Sequence, residues 1–230
     1  MSASIRLVYC ILLATGQAIA ADVGADVAAP KGQAAEAIPF QGGRFVVTRA
    51  SNGACVIALQ GAVSRDASLK FDRVAARSAE LGCGNPWLML ESPGGALLEG
   101  IDLGKEVRIR GWRTITRYDC ASACALIFLG GTERVLVGSR ARIGLHQPST
   151  IRSGRERWCG ASRDSNGVRE IRRYLRWAIS AQADQVMEIM MQTSCDAVEW
   201  EQGQRALELG IATRLQSADV DVFGPKEPGR

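Results

Sequence analysis

The chain has 230 residues, a formal net charge of +4 and only one histidine. That length fits a single domain. The small, scattered charge gives no coherent basic face for nucleic acid, and one imidazole is too few for most zinc frameworks.

The first 20 residues read as a secretory leader. Arg6 supplies a short positive region, Leu7 to Ala14 is an apolar run too short to span a bilayer, and Ala18-Ile19-Ala20 suits cleavage before Ala21. Such a leader predicts a periplasmic or secreted protein with no stable membrane anchor after cleavage. Cys10 leaves with it. The six remaining cysteines, Cys55, Cys83, Cys120, Cys124, Cys159 and Cys195, are an even set in an exported chain and predict disulfides. Cys120 with Cys124 is the most local pairing, and Cys159 with Cys195 would tie an insertion to the late part of the chain.

Residues 21–42 are rich in Ala, Gly and Pro and read as a flexible lead-in to a domain over 43–216. Phe45 to Thr48 and Cys55 to Leu59 are predicted strands around a Ser51-Asn52-Gly53 turn. Ser64 to Leu81 is a predicted helix, and Trp87 to Leu90 a compact apolar strand. Ser92-Pro93-Gly94-Gly95 breaks that strand, and Leu97, Leu98, Ile101, Leu103 and Val107 form a helical stripe. Trp112 to Thr116 is the next strand, followed by the Cys120–Cys124 turn and an apolar helix through Leu129. Arg134 to Val137 and Arg142 to Leu145 are strands. Thr150 to Asn166 reads as a loop or lid, Val168 to Thr193 as one long helix and Glu199 to Leu209 as a last helix. Gly210-Ile211-Ala212 starts a final strand, and 217–230 reads as a disordered tail. Alternating strands and helices predict a layered α/β domain.

Three segments carry chemistry. Ser122 lies between Ala121 and Ala123, whose small side chains leave it open to a carbonyl substrate. A serine hydroxyl needs a nearby base to act as a nucleophile, and His146, at a predicted strand end, is the only imidazole. Taken alone, Ser122 also suits a helix N-cap. Gly94 and Gly95, between strand and helix, let backbone approach a ligand closely. Their amides, with that of Ala123, would form an oxyanion-binding turn. A third group should orient the imidazole. Asp196 is the first choice, and Glu199 and Asp184 are alternatives.

The order and spacing of Ser92-Pro93-Gly94-Gly95, Ala121-Ser122-Ala123 and Gly144-Leu145-His146-Gln147-Pro148 resemble the Clp protease proteolytic subunit superfamily. In particular they are similar to its exported bacterial Clp-like members with a Cys-x-Ser-Ala-Cys motif. Ala206-Leu207-Glu208-Leu209-Gly210-Ile211-Ala212 resembles the segment after the catalytic acid, so the likeness covers roughly residues 55–215. It implies a single-domain ClpP/crotonase-like spiral of ββα units and serine peptidase chemistry on a peptide or protein substrate. Ser122 would be nucleophile, His146 base and Asp196 acid, with oxyanion amides at Gly95 and Ala123, and no metal or organic cofactor. It allows a homo-oligomer without implying a stacked double ring, because no long handle helix is legible. Lys31, Lys70, Lys105 and Lys226 lie outside any motif of the related lysine-based peptidases. The alternatives are a non-catalytic binding or scaffolding protein that keeps the fold, and an acyl-CoA enzyme of crotonase type, against which the leader argues.

Overall fold

The structure is a computed structural model that describes residues 32–50, 52–151 and 157–219. The expectations for the leader, for 21–31 and for 220–230 lie outside the described residues.

The chain opens with β1 (Gly32–Phe40), β2 (Gly43–Ala50) and β3 (Cys55–Gly61), an antiparallel meander. The first strand corrects the reading of 21–42 as lead-in over residues 32–40. Its Ala- and Gly-rich composition has little intrinsic strand preference. The strand is held by its ladder with β2 and by Glu36, which pairs with Arg77 at 2.8 Å and Arg73 at 3.3 Å.

Helix α1 (Ala67–Glu80) follows and buries Ala67, Phe71, Val74 and Ser78, one stripe at helical spacing. Next come β4 (Trp87–Glu91), α2 (Leu97–Ile109), β5 (Arg113–Thr116), the short β6 (Asp119–Ala121), α3 (Ala123–Leu129), β7 (Arg134–Val137) and β8 (Arg142–Leu145). Thr150 to Asn166 holds the two-residue strands β9 (Thr150–Ile151) and β10 (Arg157–Trp158). The chain then runs through α4 (Asn166–Ile179), α5 (Ala183–Gln192), β11 (Glu199–Gln202), α6 (Gly203–Glu208) and β12 (Arg214–Gln216).

Three of these elements depart from the sequence expectation. The long helix breaks at Ser180 (φ 32°) into a single 3-10 turn. Ala178 O, which an unbroken helix would use for its next turn, instead accepts from the Arg108 guanidinium at 2.9 Å. Residues 199–202 form a strand rather than the start of a helix, because they pair along β8, and the final strand begins at Arg214 rather than Gly210.

Among the described residues the main sheet has seven strands in the order β1-β2-β3-β4-β5-β7-β12, parallel from β3 to β12. A second sheet, β11-β8-β6, stands beside it. The two meet where Ser92, just past β4, bridges Cys120 of β6. Helices pack on one face of the main sheet around α3, whose seven residues are all buried. A helix apolar all round belongs in the core. Its far end is anchored by polar groups: Arg108 donates to Leu129 O and Gly131 O, and Tyr174 donates to Leu126 O at 2.7 Å. Buried Arg134 donates to the carbonyls of Gly131, Gly210 and Ile211, fixing the turn before β12.

The cysteines pair Cys55–Cys83, Cys120–Cys124 and Cys159–Cys195. No helix among the described residues is long and apolar enough to cross a membrane.

Candidate active site

Ser122 sits at the turn between β6 and α3 with φ 57° and ψ −123°. This left-handed backbone costs a non-glycine residue about 1–2 kcal/mol, and such strain tends to persist where the surrounding structure enforces it. Here three hydrogen bonds do so. Ser122 N donates to Gly144 O at 2.9 Å, Ala121 N to Ser92 O at 3.1 Å and Ser92 N to Asp119 O at 3.2 Å. The Cys120–Cys124 disulfide closes the same turn from the core side, with both cysteines fully buried. An N-cap serine has extended backbone and accepts an amide proton on its hydroxyl. Ser122 has neither feature, so its hydroxyl is not spent on capping α3.

The glycine turn faces this serine. Gly94 has φ 93°, and a Cβ there would lie 2.5 Å from Ala121 O, 2.6 Å from Ser122 Cβ and 2.8 Å from Ala123 N. Only a bare backbone fits. Gly95 has φ 152°, and a Cβ there would meet Val63 O at 2.0 Å. The two amides differ in use. Gly94 N donates to Ser92 Oγ at 3.1 Å, and that hydroxyl donates onward to Gly61 O at 2.6 Å. Gly95 N makes no hydrogen bond among the described residues. Ala123 N is a first-turn helix amide, which intrahelical bonding leaves without an acceptor.

His146 follows β8. That strand lies parallel to β6 with Ala121 opposite Gly144, so Ser122 and His146 leave the same end of neighbouring strands. The ring is half-buried, and its Nδ1 lies 2.8 Å from Gln147 O. A carbonyl only accepts, so Nδ1 carries the proton and Nε2 holds the basic lone pair. Gln147 N in turn donates to Thr193 O at 3.0 Å, which pins this segment to the end of α5. Among the described residues no hydrogen bond joins Ser122 Oγ to the ring, and no carboxylate reaches it.

The three acids considered for the third position lie elsewhere. Asp196 is exposed against the Cys159–Cys195 disulfide, with Oδ2 3.0 Å from Cys159 Sγ. Asp184 pairs with Arg176 at 3.1 Å, and Glu199 sits exposed on β11. Cys159, Cys195 and Asp196 cluster within 4.8 Å, but the disulfide occupies both sulfurs as ligands.

Glu91 has no assigned role in the sequence expectation. It ends β4 directly before Ser92, its Oε1 is buried and accepts no hydrogen bond, and burial pushes its carboxyl up to about 7 against the pull of Arg117. The visible signal is an acid closing the apolar run Trp87-Leu88-Met89-Leu90.

The described fold, a parallel α/β sheet with a smaller sheet delivering a serine turn and a histidine to one edge, is ClpP-like. Two solved structures show the likeness. One is a mutant of ClpP1 from Listeria monocytogenes, with TM-score 0.55 and 14% identity, covering 70% of this chain and 91% of that one. The other is a mutant of the 1510-N membrane-bound stomatin-specific protease, with TM-score 0.55 and 15% identity, covering 71% of this chain and 78% of that one. No protein-family model and no curated protein matches the sequence.

Proposed function

We propose that this protein is an exported serine hydrolase that cleaves peptide bonds in a polypeptide substrate. Ser122 Oγ attacks the carbonyl, His146 Nε2 takes its proton and passes it to the leaving amine, and the amides of Gly95 and Ala123 hold the developing oxyanion. The Gln147 carbonyl sets the imidazole tautomer. Asp196 has no part in this scheme, because it lies against a disulfide rather than the ring.

The observation that carries the reading is Ser122 itself: a strained serine at a strand-to-helix turn, hydroxyl unspent on capping, with backbone alone packed against it at Gly94. Three disulfides support an oxidising compartment, and the leader-like N-terminus supports export. The structural neighbour that is a stomatin-specific protease supports a protein substrate.

The test is labelling by a fluorophosphonate probe, with Ser122→Ala and His146→Ala alongside. The reading expects labelling of wild type, none of Ser122→Ala and slow labelling of His146→Ala. Undiminished labelling of Ser122→Ala removes the nucleophile.

One observation favours a second reading, a binding protein that keeps the fold: no hydrogen bond joins the serine to the histidine. That reading expects no labelling at all, and partner capture unchanged in Ser122→Ala.

A further inference from the structure

A cleft of about 500 Å³ opens between the end of α5, strand β11 and α6. Glu201 on its wall is only 5% exposed and accepts no hydrogen bond among the described residues. Its nearest cation is Arg205, with Nε at 3.9 Å. That guanidinium is half-exposed and also shared with Glu208 at 3.7 Å. Glu199, on the same wall, adds a second negative charge. A buried carboxylate is costly without full compensation. Burial and the Glu199 charge push the Glu201 carboxyl up, with Arg205 opposing. Among the residues that line the cleft, two carboxylates, Glu199 and Glu201, stand against one guanidinium, Arg205.

Its position ties it to the candidate site. Glu199 pairs with Leu145, the residue before His146, and Thr193 on the cleft rim holds Gln147 N through its carbonyl. Strand β8 lies between β11 and β6, so the β11 backbone on the cleft wall is two strand spacings, about 10 Å, from that of β6, which leads into Ser122. About three residues of extended chain span that distance. Ile189 offers an apolar wall along which a long aliphatic stem can lie.

We propose that this cleft is a specificity subsite that takes a lysine or arginine side chain of the polypeptide substrate, with Glu201 as its counter-charge. The proposal rests on the hydrolase reading for its role but makes its own binding claim. Isothermal calorimetry on the Ser122→Ala protein, which needs no turnover, measures Nα-acetyl-arginine methylamide against Nα-acetyl-norleucine methylamide. The arginine compound should bind roughly tenfold tighter or more, and Glu201→Gln should erase that margin. Arg205→Ala should tighten arginine binding by removing the competing cation, an effect that mere structural damage would not produce. Equal affinity for the two compounds, an unchanged Glu201→Gln or no binding overturns the subsite. Arginine binding in a protein that no fluorophosphonate labels overturns the hydrolase alone and leaves a peptide-binding cleft.

Discussion

Gly94→Ala tests the geometry on which the candidate site stands. Two costs add. The backbone there has φ 93°, which an alanine adopts at about 1–2 kcal/mol. The new methyl would also lie 2.5 Å from Ala121 O, 2.6 Å from Ser122 Cβ and 2.8 Å from Ala123 N, all on the serine turn. None of these atoms is the tip of a flexible side chain, so the turn must shift, at about 1–3 kcal/mol by analogy with overpacking. The sum is about 2–5 kcal/mol. Gly111→Ala is the control: its φ is 71°, but nothing lies within 4 Å of the added carbon, so it carries the first cost alone. Urea unfolding of both variants isolates the close approach as their difference. Fluorophosphonate labelling should fall in Gly94→Ala and stay at the wild-type level in Gly111→Ala. A difference under about 0.5 kcal/mol, the scatter of uninvolved substitutions, with labelling intact, would refute the packing of Gly94 on Ser122.

The folded value of Glu91, about 7, lies above its ordinary 4.5, so the folded protein keeps a proton that the unfolded chain has lost. Stability therefore falls as pH rises from about 4.5 to about 7, by at most about 1–2 kcal/mol once solvent at this half-exposed group is discounted. Glu91→Gln removes that fall, so its urea midpoint should gain on wild type through this window and level off above it; a constant gap would refute the assignment. Tyr174→Phe leaves buried Leu126 O without its 2.7 Å partner and should cost about 1–2 kcal/mol in the same assay. Disulfide removal should scale with the loop closed. Alanine at Cys120 and Cys124, four residues apart, should cost about 2 kcal/mol by chain entropy, and at Cys55 and Cys83, 28 apart, about 3.5 kcal/mol. Calorimetric melting ranks them, and the reverse order would show that strain or packing outweighs loop length.

Local chemistry made much of the core legible. The stripe in α1, the apolar run of α3 and the glycine turn after β4 each carry their own signal of period or composition. The helix at 199–209 misled because only 203–208 are helical, whereas 199–202 lie along β8, a pairing partner that is invisible in the local sequence. The strand at 32–40 gave no signal, since Ala and Gly enter it through pairing with β2 rather than by preference. At the site, motif order pointed to Ser122 and His146 because a strand end and a turn are local features. The carboxylates were not legible: Asp196, Glu199 and Asp184 sit close in sequence, and only the paths of the disulfide and β11 decide where each one points. Glu91 and Glu201 escaped notice because an acid in a strand betrays its burial only when its neighbours in space are known.

The imidazole partner has a consequence for rate. A carboxylate behind a catalytic histidine holds its tautomer and also stabilises the imidazolium that forms as the serine gives up its proton. The Gln147 carbonyl does the first of these, since an acceptor at 2.8 Å from Nδ1 fixes the proton there. It carries no net charge and does little of the second. Where a complete triad loses its acid, kcat falls on the order of 10⁴-fold while the rest of the machinery persists. This protein should therefore label readily with a reactive phosphonate, whose leaving group departs without help from the imidazolium, yet turn over an unactivated peptide slowly. Comparing the labelling rate with turnover of an activated ester and of its matching amide separates the two. The ester should turn over and the amide should lag far behind. Amide turnover close to the ester rate would mean that a charged partner reaches His146 during the reaction, and the carbonyl-held imidazole would then be only a resting arrangement.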